Sequence, residues 1–167
     1  PWENPSPNMR SLGAATLYPG VGLLEFCNLS VGRGTDSPFE LLGAPYIDDI
    51  GLTAEMNRLA LPGIGFVPVR FTPSSSVFSG KECGGVRLIV TDRAAFRAVE
   101  TGVALATVIH RLHGKEFGVS RMLKLLGDKA TLSAIESGSA PAVAREGWGT
   151  GLDAFMERRQ PFLLYPR

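Results

Sequence analysis

The chain has 167 residues and a formal net charge of +1, the size of one domain whose core needs no metal or disulfide staple. With 44% hydrophobic and 20% charged residues it is not a disordered tail. No apolar run reaches the roughly 18 residues of a membrane span, and the near-zero charge lacks the basic footprint of a nucleic-acid binder.

Pro1–Asn8 (PWENPSPN) holds three prolines, which fix φ and remove donors, so it reads as an extended lead-in or the end of a linker. The start at Pro1, without an initiator Met or a signal peptide, reads as an excised, processed or truncated piece. A short helix is predicted at about Met9–Leu17, stopped by Tyr18-Pro19-Gly20. Val21–Phe26 reads as a strand, apolar except for Glu25. From Asn28 to Pro45 there is no period. The glycines and the Asp36-Ser37-Pro38 step make this a long ordered loop, of a kind that tends to be functional. Leu52–Leu59 fits a short amphipathic helix. Gly65–Phe71 is predicted as a strand that Pro68 marks as an edge or a bulge, and Thr72–Gly80 (TPSSSVFSG) as a second polar loop. Val86–Thr91 is a β-branched strand. Asp92 then stands as the N-cap of a helix over Arg93–Leu112, with Phe96, Val99, Val103, Ile109 and Leu112 near one face. Short helices are predicted near Ser120–Leu126 and Thr131–Glu136, and a last one over Gly149–Arg159. A short strand or extended tail follows at Phe162–Tyr165. Interleaved strands and helices predict an α/β chain of mixed α+β character, with a small mixed β-sheet flanked by helices and long ordered loops.

Gly32-Arg33-Gly34-Thr35 is the most pointed local feature. Flanking glycines let the backbone bend sharply, and the guanidinium between them suits a bidentate grip on a carboxylate or phosphate. The plainer alternative is a turn with a solvated arginine. Lys81 after Gly80 does not make a P-loop, because Ser75 stands where the first glycine is needed and Glu82 replaces the Ser/Thr. The spacing after Gly34 does not fit a dinucleotide fingerprint. Glu25, in an apolar stretch, is a candidate acid–base group, against the plainer alternative of a solvent-facing or arginine-paired strand residue. Glycoside hydrolysis needs two facing carboxyls, and Glu40 and Asp92 are the further candidates, Asp92 competing with a simple helix cap. Asn28-Leu29-Ser30 matches a glycosylation acceptor, although a structural or ligand-contacting Asn28 is the favoured reading. His110 and His113 lie three apart without a third metal ligand, and no cofactor is called for. Cys83 reads as a small buried thiol; Cys27 and Cys83 permit one bridge without requiring it. Trp2, Phe71, Phe78 and Trp148 suit core packing as well as sugar stacking.

The stretch from Glu25 to Pro45, EFCNLSVGRGTDSPFELLGAP, resembles the E-x-T-N-x-S-x-G-R-G-T-x-x-P-F-x-x-x-G-A-P signature of the NamZ-type (YbbC-like) exo-β-N-acetylmuramidases, long labelled a domain of unknown function. Pro5–Asn8 (PSPN), Leu17–Gly20 (LYPG), Phe71-Thr72-Pro73, Gly80-Lys81-x-Cys83-x-Gly85-Val86, Thr91-Asp92-Arg93, Trp148 and Phe162–Tyr165 extend the likeness over nearly the whole chain. The resemblance implies the C-terminal domain of a secreted or periplasmic bacterial glycoside hydrolase. Its N-terminal Rossmann-like domain, outside these 167 residues, would carry the main catalytic glutamates. It implies muramyl-containing peptidoglycan fragments as ligands, N-acetylmuramic acid released from their non-reducing end, and the N-terminal domain as partner, with no nucleic acid and no membrane insertion. Carried over by motif, Glu25, Asn28, Ser30, Arg33, Gly34, Thr35 and Glu40 are the substrate-binding candidates. Arg33 is the candidate reader of the lactyl carboxylate. Cys27 departs from the family's Thr.

Overall fold

The computed structural model describes residues 2–138 and 141–165. Among the described residues six α-helices run in chain order: α1 (Leu12–Val21), α2 (Asp49–Arg58), α3 (Ala98–His113), α4 (Leu123–Leu126), α5 (Lys129–Glu136) and α6 (Pro141–Arg159). Three strands, β1 (Leu41–Ala44), β2 (Ile64–Phe71) and β3 (Cys83–Val90), form a sheet in the order β1-β3-β2. Both pairings are antiparallel, Leu41 facing Arg87 and Ile64 facing Val90. The chain is thus mixed α and β as expected, with a small sheet that is antiparallel throughout rather than mixed in direction.

The core is shared by the sheet, α1, α2 and α3, and α3 residues Thr101 to Ile109 are all buried. α1 crosses α3 backbone to backbone. A Cβ on Gly20 would lie 1.9 Å from the Ala98 carbonyl oxygen, and one on Gly102 would lie 2.4 Å from that of Gly20. This contact overturns the strand expected at Val21–Phe26. Ala14, Leu17, Val21 and Leu24 are all buried at spacings of three and four, which is helical spacing. α1 therefore runs through Pro19 to Val21, and a 3-10 turn carries it on to Leu24. Pro19 lies inside the helix near its end, where its missing N–H removes one helical hydrogen bond. Glu25 consequently follows a helical turn and does not sit on a strand.

The expected helix start at Asp92 is also corrected. Asp92 accepts from the Ala94 and Ala95 backbone N–H groups at 2.9 and 3.3 Å, but it caps a turn, and α3 begins only at Ala98. The chain at Asp92 and Phe96 wraps closely around Gly63, where a Cβ would lie 2.2 Å from the Asp92 carbonyl oxygen. That wrap buries Phe96 and interrupts the helix. β1 lies inside the loop expected from Asn28 to Pro45. Pro68 does sit on an edge strand, β2, and Asn57 of α2 clips that edge. Its amide donates to the Phe66 carbonyl at 2.9 Å and accepts the Phe66 N–H at 3.1 Å.

The last helix begins at Pro141 rather than Gly149. Trp148 on it is partly buried against the core and donates its indole N–H to Thr131 Oγ1 at 2.8 Å. Beyond it Gln160–Phe162 is a 3-10 turn. Phe162, Leu164 and Tyr165 are exposed and belong to none of the sheet's strands. Cys27 and Cys83 are both buried free thiols. Burial pushes the Cys27 thiol up to about 12, against a smaller opposing pull from the Arg121 guanidinium.

Two outcomes follow. Gly102→Ala forces a Cβ into the Gly20 backbone and is expected to cost about 1–3 kcal/mol or more, read as a lowered urea midpoint. Because the folded chain holds the Cys27 proton more tightly than the unfolded one, stability is expected to fall as pH rises from the ordinary thiol range towards about 12. Urea midpoints measured at stepped alkaline pH should decline less steeply in Cys27→Ala.

Candidate functional site

The GRGT turn is held from several sides. Gly32 and Gly34 have φ of +80° and +81°, a region that L side chains rarely adopt. Neither has room for a Cβ: at Gly32 it would lie 2.7 Å from the Ser37 carbonyl oxygen, and at Gly34 2.5 Å from the Ser75 nitrogen. Thr35 closes the turn by donating its hydroxyl to the Gly32 carbonyl at 2.6 Å and accepting the Ser37 N–H at 3.1 Å. The second polar loop docks directly on it, since the Ser74 N–H and hydroxyl both donate to the Gly34 carbonyl, at 2.9 and 2.8 Å.

Arg33 turns back onto its own domain. Its Nε and Nη2 reach Glu25 Oε1 at 2.7 and 2.6 Å, and its guanidinium carbon lies 5.1 Å from the centre of the Phe39 ring. Phe39 is buried with φ of +65°, a conformation that costs free energy in a bulky residue. The edge of the Tyr18 ring meets it with ring centres 4.9 Å apart. Glu25 and Arg33 are therefore brought together, Glu25 as an arginine-paired carboxylate on a partly exposed ion pair.

The other motif residues hold the frame. Ser30 bridges to Gly43 through both backbone hydrogen bonds, at 2.8 and 2.9 Å, and so ties the loop to β1. Asn28 donates its amide to the Glu116 carbonyl at 2.6 Å and accepts the Gly118 N–H at 2.7 Å. Tyr46 donates its hydroxyl to the Asn28 carbonyl at 2.9 Å. Glu40 lies apart from this pair and accepts the hydroxyl of Ser11, the N-cap of α1. Asp92 stands at its own turn beyond β3. Glu40 and Asp92 each bond to a partner other than Glu25. No group of three or more potential metal ligands occurs among the described residues. His110 and His113 bury Nδ1 and Nε2 respectively, and the His113 ring packs against Tyr46.

In front of the turn lies a cleft of about 590 Å³. Gly34, Thr35 and Asp36 form one wall, Phe71, Thr72, Ser74 and Ser75 another, and Pro7, Asn8 and Arg10 of the lead-in a third. Arg10 pairs with Asp36 across it at 3.0 Å. Hydroxyls, backbone amides and one carboxylate are groups that bind sugar hydroxyl and acetamido functions. The meeting of the TPSSS loop with GRGT was missed in the sequence. The only signal for it was the glycine at position 34, whose need for a close backbone neighbour names no partner.

Residues 16–165 match the family described as exo-β-N-acetylmuramidase NamZ, C-terminal. The peptidoglycan β-N-acetylmuramidase NamZ of Bacillus subtilis (strain 168) is 39% identical over 168 residues, which cover 99% of this chain and 41% of that protein. Two solved structures of DUF1343 family proteins from Bacteroides fragilis are also similar. One has a TM-score of 0.73 at 24% identity, covering 99% of this chain and 45% of that one. The other has 0.70 at 27%, covering 97% and 43%. The chain thus spans less than half the length of the relatives it matches. With the matched region extending over nearly all of its sequence, the chain belongs to the family of NamZ C-terminal domains.

Proposed function

We propose that this domain walls the substrate cleft of an exo-β-N-acetylmuramidase and binds the muramyl end of peptidoglycan fragments, outside the cytoplasm, opposite a catalytic domain that precedes it. The cleft at the GRGT turn carries this reading. It is polar, it is built by the two loops that hold the family motifs, and the lead-in forms one of its walls. A domain joined ahead of Pro1 would enter the cleft's edge along that wall. The B. subtilis relative, more than twice as long, is named for this activity.

In this reading the domain positions the sugar and the preceding domain supplies the carboxyl pair that glycoside hydrolysis requires. Asp36 is the one carboxylate that lines the cleft, and it is paired with Arg10. The Glu25–Arg33 pair works from behind the turn, holding Gly34 and Thr35 at the cleft wall. A ligand carboxylate that reached Arg33 would have to share the guanidinium with Glu25, and this favours the holding role over direct reading.

Amide shifts of this chain during titration with a muramyl-capped disaccharide test the cleft. Saturable shifts at Gly34, Thr35 and Ser75 are expected, with free N-acetylmuramic acid appearing only when the preceding domain is supplied. Shifts confined to other faces, or none, would refute the reading. Arg33→Ala separates the two roles of the arginine. Holding the turn predicts equal losses for muramyl and N-acetylglucosamine ligands. Direct reading predicts about 1.5–3 kcal/mol lost for muramyl ligands alone.

A further inference from the structure

A second cleft lies where β1 stops and β3 runs on. β1 begins at Leu41, opposite Arg87, so the last residues of β3 extend past it. The opening, about 320 Å³, is lined by Arg87 and Val90 of β3, Arg93 beyond it, Gly13 of α1 and Glu40. It shares no lining residue with the GRGT cleft.

Its charges are unbalanced. Arg87 is half-buried, and its side chain donates to the uncharged Ser37 hydroxyl at 3.5 Å. Arg93 makes no hydrogen bond or ion pair among the described residues. Arg33 is committed to Glu25 and Arg70 to Asp49 and Glu82. The single carboxylate on the wall, Glu40, already accepts the Ser11 hydroxyl at the first turn of α1. That position favours a negative charge. Two guanidiniums thus face a cleft with one carboxylate that is stabilised by another element.

We propose that Arg87 and Arg93 form a binding site for a small carboxylate-bearing ligand. The guanidiniums hold the carboxylate, and the second oxygen of Glu40 accepts a donor beside it, an amide N–H or a hydroxyl. An oxyanion is the group that guanidiniums bind with best geometry and strength. Glu40 repels a doubly charged phosphate more strongly than a singly charged carboxylate. A carboxylate next to a donor occurs both at the end of a peptide and in an acidic sugar. The shared chemistry defines the site, and two probes separate the sources.

The test is an amide-shift titration of the 167-residue chain with N-acetylglycine, N-acetylmuramic acid and, as a control without a carboxylate, N-acetylglucosamine. Saturable shifts at Gly13, Arg87, Val90 and Arg93 are expected with one or both acids and not with the control. Arg93→Gln, an exposed change, should weaken that binding about tenfold or more. Arg87→Gln should do the same while the remaining amide spectrum shows a folded chain. A response to N-acetylglycine alone assigns the site to peptide carboxylates, and one to N-acetylmuramic acid alone assigns it to sugar acids. No saturable shift with either acid, or shifts unchanged in both variants, overturns the proposal. The muramyl titration of the GRGT cleft reads different amides, so either reading can fail without the other.

Discussion

Two helices touch backbone to backbone at Gly20 and Gly102, and the remainder of the architecture depends on that contact. It lets α1 lie close against α3, the most deeply buried helix, and it sets where the chain leaves α1. Helical packing continues through Val21 and Leu24, both buried. Glu25 therefore emerges at the end of a turn facing the returning loop instead of alternating along a strand. The ion pair with Arg33 is a consequence of that exit. Two glycines thus determine, through packing alone, where the carboxylate of the motif stands.

The GRGT turn shows how a charged motif residue serves the frame. Its glycines admit backbone at distances that exclude any side chain, from Ser37 on one side and Ser75 on the other. Arg33 is then held between Glu25 and the Phe39 ring. A partly buried guanidinium with both a carboxylate and an aromatic face has little reason to leave. The surface offered to the cleft consequently combines backbone and hydroxyl groups with the Arg10–Asp36 pair. Arg87 and Arg93, two arginines without an acidic partner among the described residues, line another cleft.

Family membership and site geometry bear on different questions. The match over residues 16–165 places the chain in its family. The geometry accounts for why the motif residues recur together. Asn28 joins the start of the loop to the segment after α3, Ser30 joins it to β1, and Thr35 closes the turn. Asn28 and Thr35 each make two hydrogen bonds through their side chains, whereas Ser30 makes its link to β1 through the backbone, so the signature describes a loop conformation as much as a binding surface.

Much of this was legible in the sequence. Composition excluded a membrane span and a disordered chain. Local propensity located β2, β3, α2 and α5 within a few residues, because β-branched runs, caps and turn residues act at short range. The motif also marked Glu25, Asn28, Ser30, Arg33, Gly34, Thr35 and Glu40 as a group, of which Glu40 stands apart on Ser11. Only tertiary structure decided the rest, since it rests on contacts between distant segments. The spacing of Ala14, Leu17, Val21 and Leu24 is helical, yet Pro19 and the apolar run after Gly20 pointed locally to a strand, and burial against α3 outweighs that signal. Asp92 carries a helix-cap signature, but the chain's wrap around Gly63 turns it into a cap for a single turn. The docking of Ser74 and Ser75 on Gly34 joins residues 40 apart, and the cleft containing Arg87 and Arg93 exists because β1 is shorter than β3. Local sequence encodes the conformations each segment favours, and the packing of segments far apart in the chain selects among them.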